Sequence, residues 1–178
     1  LERLLLNNNR GEIGLENWSG MIEPYNPKFL ASTGVSYSLV VNSKLKKYIE
    51  IGKKEGAILL TGGNVVKNSH FKEGCFIEPT IFGGVKPDMK IAQEEIFGPV
   101  LSVITVENLE EAIKVSNDII FGLSSSIFTN NLEHAMTFVK QTEVGFTHVN
   151  LMTSLKEPQL PFGGIKESGV GTPEAGKT

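Results

Sequence analysis

Short apolar runs alternate with stretches of helical periodicity along most of this chain, and turn residues separate them. Residues 100–106 are the richest in β-branched side chains, which predicts a central strand. Pro79 lacks a backbone N–H, so its strand is expected to lie at an edge or to be interrupted there. The strand predicted at residues 57–61 is almost wholly apolar and is expected to be buried. The predicted strands are residues 57–61, 76–82, 100–106, 123–128 and 144–149.

The first predicted helix begins at Ser43, a residue type that caps helix N-termini, and ends at Gly56. Its apolar residues Leu45, Tyr48 and Ile49 recur at i, i+3 and i+4, which is the spacing of one helix face. Lysines are expected on the solvent-facing side. They are Lys44, Lys46, Lys47, Lys53 and Lys54.

Two further helices are predicted from their capping residues. Asn108, followed three residues later by Glu111, begins a helix that runs to about Asn117. Asn130, followed by Glu133, begins another. The apolar stripe of this last helix is expected to face the core and consists of Leu132, Ala135, Met136 and Val139.

This order of strands and helices predicts an α/β fold in three layers, with a mainly parallel sheet and helices on both of its faces. Residues 1–41 carry turn residues without sustained periodicity and are expected to be a connecting segment, partly irregular, in which Leu1–Leu6 would be the last turns of a helix. Residues 42–178 are expected to form the α/β unit. Because the chain begins without methionine and stops in mid-pattern, we expect it to be a piece of a longer protein.

Composition limits the partners that this chain is expected to have. Its 178 residues carry 17 Lys and Arg against 20 Asp and Glu, a net charge of −3, which favours neither nucleic acid nor an anionic membrane. No apolar run approaches the roughly 18 residues that span a bilayer. Cys75 is the only cysteine, which excludes an internal disulfide and indicates a reducing, cytoplasmic location. The histidines His70, His134 and His148 lack metal-ligand spacing, so no metal site is predicted.

The segment Gln93–Val100 concentrates chemically useful side chains at the entrance of the predicted central strand. It contains two adjacent carboxylates, an aromatic ring and a Gly-Pro turn. A carboxylate can accept hydrogen bonds from both hydroxyls of a ribose, and a ring can pack against a heterocycle or a sugar. The alternative is structural: a helix ends here, Phe97 lies in the core, and Pro99 stops the helix.

A second candidate is the loop over residues 150–164, which follows the last predicted strand. Ligands of open α/β sheets bind on loops that follow the carboxyl ends of strands, and loops this long are uncommon unless they bind something. A solvated loop without function is the alternative. No glycine-rich phosphate loop follows any predicted strand, and Cys75 has no neighbour in sequence that would activate it, which favours a structural thiol over a nucleophile.

Several segments resemble, in order and in spacing, motifs of the aldehyde dehydrogenase superfamily. The most specific is Glu94–Val100, and the collinear matches together extend from about Lys46 to Gly171. The other matching segments are Gly52–Ala57, Leu60–Gly63, Phe76–Ile81, Phe121–Leu123, Val149–Asn150 and Pro161–Gly169.

The resemblance implies the oxidation of an aldehyde to a carboxylic acid. A cysteine thiolate would attack the aldehyde, hydride would pass to NAD or NADP, and water activated by a glutamate would release the acid. On the cofactor side, the resemblance implies that Glu95 holds the hydroxyls of the nicotinamide ribose. It also implies that Phe97 packs against the nicotinamide.

On the substrate side, the resemblance implies that Phe162 lines the aldehyde tunnel and that Asn150 and Leu151 contact the aldehyde. The loop 151–160 would select the substrate. Within this loop, Pro158 with the preceding Lys and Glu resembles the loop sequence of the subgroup that acts on semialdehydes. Members of the family form dimers and tetramers, so a homo-oligomer is expected.

The resemblance also implies which functional groups lie elsewhere. In the family, the nucleophilic cysteine, the general-base glutamate, the oxyanion-hole asparagine and the phosphate-binding half of the cofactor site all precede the matched region. A strand that helps subunits associate follows it. No residue of this chain is therefore predicted to be catalytic, and the isolated chain is expected to be inactive.

Two other classes of function stay open. A binding or structural protein could retain the fold without the nucleophile, and a gene that continues upstream into a cysteine-containing segment would argue against this. A free-standing nucleotide-binding module would bind NAD by itself, which we do not expect because half of the cofactor site lies elsewhere.

Overall fold

In the computed structural model, the described residues are 3–7, 39–65, 76–155, 157 and 159–169. They belong to two units, Leu1–Glu107 and Asn108–Thr178. The change of character predicted at residue 41 adjoins the undescribed residues 8–38 and stays a prediction. Within the described residues, the first unit contains β1 (Arg3–Asn7), α1 (Leu39–Lys54), β2 (Ile58–Thr61), β3 (Thr80–Gly83), α2 (Lys90–Gln93) and β4 (Val100–Val106).

The first unit contains a four-stranded sheet in the order β1-β4-β3-β2. Strand β4 lies between two parallel neighbours, β1 and β3, which confirms the central strand predicted from its β-branched residues. The expectation of a helix at Leu1–Leu6 is wrong, because Arg3–Asn7 pairs with Ser102–Val106 as a strand. A short apolar run has no periodicity that separates helix from strand, so its pairing partner decides.

The edge of this sheet corrects a second expectation. Strand β2 forms where it was predicted, but it is not buried: Ile58 is 61% and Leu60 is 47% exposed. The reason is its place at the end of the strand order, where β3 is its one neighbouring strand among the residues that the structure describes. Strand β3 begins directly after Pro79, which confirms the predicted interruption.

Helix α1 carries the predicted apolar face but begins earlier than predicted. Leu45 and Ile49 are buried, Tyr48 is half-buried, and the five lysines are exposed. The helix starts at Leu39, so Ser43 lies inside it and is not its cap. The helix ends as expected near Gly56, whose φ of +91° suits glycine best.

The second unit contains two small sheets. Strands β6 and β7 pair in parallel, which confirms the predicted parallel arrangement, and β5 and β8 pair antiparallel. The side chain of Asn108 accepts a hydrogen bond from the Glu111 N–H and caps α3 as predicted. The elements are α3 (Leu109–Asn117), β5 (Phe121–Gly122), β6 (Ser124–Ile127), α4 (Leu132–Gln141), β7 (Phe146–Val149) and β8 (Ile165–Lys166).

Helix α4 corrects two expectations. Its cap is Asn131 rather than Asn130, since the Asn131 side chain accepts from two backbone N–H groups in the first turn. The predicted apolar stripe is right only at Ala135, because the buried residues of the helix are Ala135 and Phe138. The helix contacts α3 and β7. Three residues of the predicted stripe are exposed instead: Leu132, Met136 and Val139.

Candidate functional site

In the first unit, one face of α1 holds the segment that follows α2. The Lys44 Nζ donates to the Glu95 backbone oxygen over 3.2 Å. The backbone of Gly98 passes so close to the buried Leu45 that a Cβ on this glycine would overlap the leucine side chain. Helix α1 therefore holds residues 94–98 against the entrance of β4, and Tyr48 of the same helix adds a hydrogen bond to Glu94.

The two adjacent carboxylates of this segment have different surroundings. Glu94 accepts a hydrogen bond from the Tyr48 hydroxyl over 2.7 Å, and its other oxygen lies 3.5 Å from the Lys90 Nζ. The side chain of Glu95 is exposed and has no hydrogen-bond or ion-pair partner among the residues that the structure describes. Glu94 is thus used within the fold, whereas Glu95 is available to a ligand.

Tyr48 reports on this arrangement through its titration. Its hydrogen bond to Glu94, its partial burial and the negative charge of Glu94 raise the Tyr48 pKa from 10.0 to about 12. A raised folded-state pKa means that the bond stabilises the protein fully below pH 10, and that this stability is lost as the pH rises through about 12. We expect Glu94→Gln to lower the Tyr48 pKa towards 10.0, because the amide carries no charge.

The measurement is a phenolate absorbance titration, in which Tyr48→Phe identifies the transition that belongs to this tyrosine among the three in the chain. The assignment of the high-pH transition to Tyr48 would be contradicted if this transition persisted in Tyr48→Phe. It would also be contradicted if the midpoint pH did not change in Glu94→Gln.

Phe97 is not the core residue that the structural alternative requires, because its side chain is 71% exposed. Its φ of 57° lies in the left-handed region, which is unfavourable for an aromatic residue by about 1–3 kcal/mol. Strained backbone of this kind persists where the surroundings hold it in place, and here the buried Ile96 and the tightly packed Gly98 flank the ring. The segment therefore presents a flat apolar surface beside a free carboxylate.

These two groups are chemically suited to the part of a dinucleotide that the resemblance implies for them, the nicotinamide and its ribose. A free carboxylate can accept from two neighbouring hydroxyls, and an exposed ring can cover one side of a heterocycle. The fit rests on the exposure of both side chains and on the absence of a partner for Glu95 in the described ranges.

In the second unit, Asn150 shapes the chain at the carboxyl ends of β6 and β7. Its Oδ1 accepts from the Thr129 N–H over 2.9 Å, and its Nδ2 donates to the Thr129 oxygen over 3.0 Å. Its φ of 58° reverses the chain directly after β7. Both ends of the amide are therefore engaged with the backbone that follows β6.

Leu151 and Phe162 lie on either side of the loop that Asn150 introduces. Leu151 is 49% exposed, and its backbone oxygen accepts from the Ser126 hydroxyl over 2.5 Å. Phe162 is half-buried, with its ring centroid 5.1 Å from that of Phe146 at the start of β7. Asn150 follows the other end of β7, about 13 Å along the strand at the usual rise per residue.

Glycines let the segment around Phe162 approach β7. A Cβ on Gly145 would overlap the Gly163 backbone oxygen, and a Cβ on Gly164 would lie 2.5 Å from the Ser168 oxygen. These glycines make close backbone packing possible and thereby place Phe162 against Phe146. The glycine spacing in this motif is explained by that packing.

Lys166 is a structural residue that the sequence reasoning missed. Its Nζ lies 2.7 Å and 3.2 Å from the backbone oxygens of Asn117 and Ile119, and 2.8 Å from the Glu143 carboxylate. An ammonium has three donors, and these contacts use all of them. Two accepting oxygens lie at and beyond the last residue of α3, where a cation is favourable. Its φ of 52° is a further signal, visible only in the structure.

The remaining candidates carry no chemistry in the described ranges. His148 packs edge-on against Phe146 at 5.3 Å, and its buried Nε2 has no hydrogen-bond partner there. His134 is exposed on α4, while His70 and Cys75 lie outside the described residues. Within those residues no group of three His, Cys, Asp or Glu side chains could hold a metal ion. In the same part of the chain, no helix combines the length and the apolar character needed to cross a membrane.

Known proteins match this chain along most of its length. A solved indole-3-acetaldehyde dehydrogenase in complex with NAD+ superposes with a TM-score of 0.85 and 33% identity over 98% of this chain and 35% of its own. The α-ketoglutaric semialdehyde dehydrogenase of Bacillus subtilis is 45% identical over 73% of this chain. The betaine aldehyde dehydrogenase of Mesorhizobium japonicum is 42% identical over 78% of it. The structural match confirms the α/β fold class.

The matched part of these relatives is short compared with their length. The chain covers 27% of the Bacillus protein and 28% of the Mesorhizobium protein, so it spans about a quarter of the curated relatives that it matches. The family model for the aldehyde dehydrogenase family matches residues 34–178. With most of its residues in that match, the chain belongs to the aldehyde dehydrogenase family.

Proposed function

We propose that this chain supplies part of the cofactor site and part of the substrate site of an aldehyde dehydrogenase that uses NAD or NADP. The observation that carries the proposal is the contrast between the two adjacent carboxylates. Glu94 is engaged by Tyr48 and Lys90, whereas Glu95 stands free beside the exposed ring of Phe97. The similar indole-3-acetaldehyde dehydrogenase was solved with NAD+, which supports a dinucleotide as the ligand.

In this proposal, the chain's own residues bind and orient the reactants. Glu95 accepts hydrogen bonds from the two ribose hydroxyls and thereby fixes the position of the sugar. Phe97 covers one side of the nicotinamide and keeps water from it. The cofactor, when bound, supplies the hydride acceptor.

On the aldehyde side, Phe162 forms one wall of the substrate tunnel, and its position is set by Phe146 and by the glycines beneath it. Leu151 contributes an exposed apolar side chain at the start of the substrate loop. Asn150, whose amide is occupied by Thr129, acts by shaping the turn that presents Leu151.

For the substrate itself we propose a semialdehyde. The Bacillus relative is named for one, and Pro158 with its preceding Lys and Glu is similar to that subgroup. The Mesorhizobium relative is named for betaine aldehyde, which makes this the competing substrate to test. We also propose a homo-oligomer, because members of the family form dimers and tetramers. A cytoplasmic location is proposed from the single cysteine.

The proposal is tested by following NADH formation with the whole dehydrogenase that contains these residues and with the 178-residue chain alone. We expect the whole protein to oxidise α-ketoglutaric semialdehyde faster than betaine aldehyde. We expect no turnover from the isolated chain, because the resemblance implies that the nucleophile precedes the matched region, and Cys75, the only cysteine, lies within that region.

The control for this experiment is Cys75→Ala. Turnover by the isolated chain that Cys75→Ala abolishes would show that Cys75 is a nucleophile, against the proposal. A whole protein that oxidises no aldehyde with either cofactor would favour the non-enzymatic alternative. Micromolar binding of NAD+ to the isolated chain, measured by calorimetry, would favour a free-standing nucleotide-binding module.

A further inference from the structure

Three consecutive serines occupy β6, and they serve different faces of the strand. The Ser125 hydroxyl lies 3.0 Å from that of Thr147 on β7. The other two hydroxyls bond to the loop that follows β7: Ser126 donates to the Leu151 oxygen over 2.5 Å, and Ser124 donates to the Thr153 oxygen over 3.2 Å. Since successive side chains of a strand point to opposite faces, Ser124 and Ser126 share the face opposite to Ser125.

These two bonds determine the direction of the loop. The later loop residue, Thr153, is held by the earlier strand residue, Ser124. The chain therefore turns back after β7 and runs antiparallel over β6. The turn itself is made by Asn150, whose left-handed backbone and double hydrogen bond to Thr129 begin the reversal.

Because the loop runs back over β6, it reaches the same position along the strands as Phe162. Ser124 pairs in register with Phe146, and Phe146 packs against Phe162. Paired residues of parallel strands project to the same side, as the bond between Ser125 and Thr147 on the other face illustrates. Thr153 is thus held at the same level of the sheet as the two aromatic rings.

The tethered segment exposes apolar side chains while its backbone is held. Leu151 is 49% and Met152 is 64% exposed, and the Leu155 N–H donates to the Met152 oxygen to close a turn. Backbone atoms at residues 151 and 153 are fixed on either side of Met152. A surface with a fixed backbone and exposed apolar side chains is suited to discriminate between substrates by shape.

We propose that Ser124 and Ser126 are positioning residues that hold the first half of the substrate loop, and that they thereby set which aldehydes the enzyme accepts. The first part of this statement concerns the chain alone, and the second part rests on the proposed function. Ser125 offers a matched control, because it has the same side chain in the same strand but bonds to Thr147.

The first test is hydrogen exchange of the 178-residue chain. Loss of a hydroxyl-to-carbonyl bond should raise the exchange rate of the Leu155 amide about fivefold in Ser126→Ala or Ser124→Ala and more in the double variant. Ser126→Thr, which keeps a hydroxyl, should restore the rate. Ser125→Ala should raise exchange in β6 and β7 rather than selectively in the loop. A Leu155 rate unchanged in the double variant would overturn the tether.

The second test is the kinetics of the whole dehydrogenase. We expect the double variant Ser124→Ala and Ser126→Ala to raise the KM for the preferred aldehyde about tenfold and to leave the KM for NAD+ unchanged. The ratio of kcat/KM for the preferred aldehyde to kcat/KM for a second aldehyde should fall. A loosened loop with unaltered aldehyde KM values would overturn the specificity role. A protein that oxidises no aldehyde would contradict the proposed function instead, and the exchange measurement would still decide the tether.

Discussion

Glu95→Gln in the whole dehydrogenase is expected to weaken the binding of NAD+ or NADP+ by about 10- to 100-fold. The amide keeps one acceptor oxygen but loses the charge and the second acceptor, and hydrogen bonds to charged groups contribute about 1.5–3 kcal/mol each. Among the described residues, no other group forms a hydrogen bond or ion pair with this exposed carboxylate, so none replaces the hydrogen bonds to the cofactor that the amide cannot make. Cofactor Kd, measured by calorimetry or by quenching of protein fluorescence, is the direct readout.

The matched control for this prediction is Glu94→Gln, one residue earlier. Because Glu94 bonds to Tyr48 and Lys90, its replacement should reduce stability slightly and change the cofactor Kd less than threefold. Equal losses of cofactor affinity in the two variants would mean that the segment as a whole, rather than the free carboxylate, determines binding. A larger loss in Glu94→Gln would reverse the assignment of the two residues.

Gly145→Ala is expected to destabilise the second unit by about 3 kcal/mol, the upper end of the usual cost of overpacking. The new methyl group would overlap the backbone oxygen of Gly163, and backbone cannot rotate away as a side chain can. The two backbones must separate, which removes Phe162 from Phe146. Urea unfolding of the chain and hydrogen exchange at β7 and β8 measure this effect.

Glu167→Ala is the control for this change, because Glu167 is exposed in the same glycine-rich segment. Surface substitutions of this kind usually change stability by less than about 0.5 kcal/mol. A stable Gly145→Ala variant in which Phe162 keeps its position would contradict the packing role. In the whole dehydrogenase, a surviving Gly145→Ala variant should lose affinity for the aldehyde before it loses affinity for the cofactor.

Local signals were sufficient for much of the fold. The β-branched run of β4, the Asn108 cap of α3 and the interruption of β3 at Pro79 all follow from preferences of single residues for their backbone conformation. The burial of individual residues was predicted less well from the sequence, because burial depends on which elements pack against each residue. Ile58 and Leu60 are apolar but exposed on an edge strand. In α4, the buried face contains Ala135 and Phe138, whereas most of the predicted stripe is exposed.

The candidate site divides in the same way. The motif at residues 94–100 was visible as a cluster of unusual side chains, and Phe97 and Asn150 prove to be two of the three described non-glycine residues with left-handed backbone. The third, Lys166, lies within the motif Pro161–Gly169 and carries no local signal of its role. Its role depends on carbonyls of Asn117 and Ile119, which lie almost fifty residues earlier in the chain. The three consecutive serines of β6 are, by contrast, visible in the sequence within a predicted strand.

By itself, the sequence determined the α/β order of elements, the Asn108 cap of α3 and the position of the two motif clusters. These are properties of residues close together in the chain, where backbone sterics and side-chain chemistry act locally. Only the tertiary structure decided which of two adjacent carboxylates is free, since Tyr48 approaches Glu94 from a helix 46 residues away. Only it decided that Asn150 is held by Thr129 and that the loop after β7 is tied to β6. Such contacts join distant segments, and they exist only once the chain has folded.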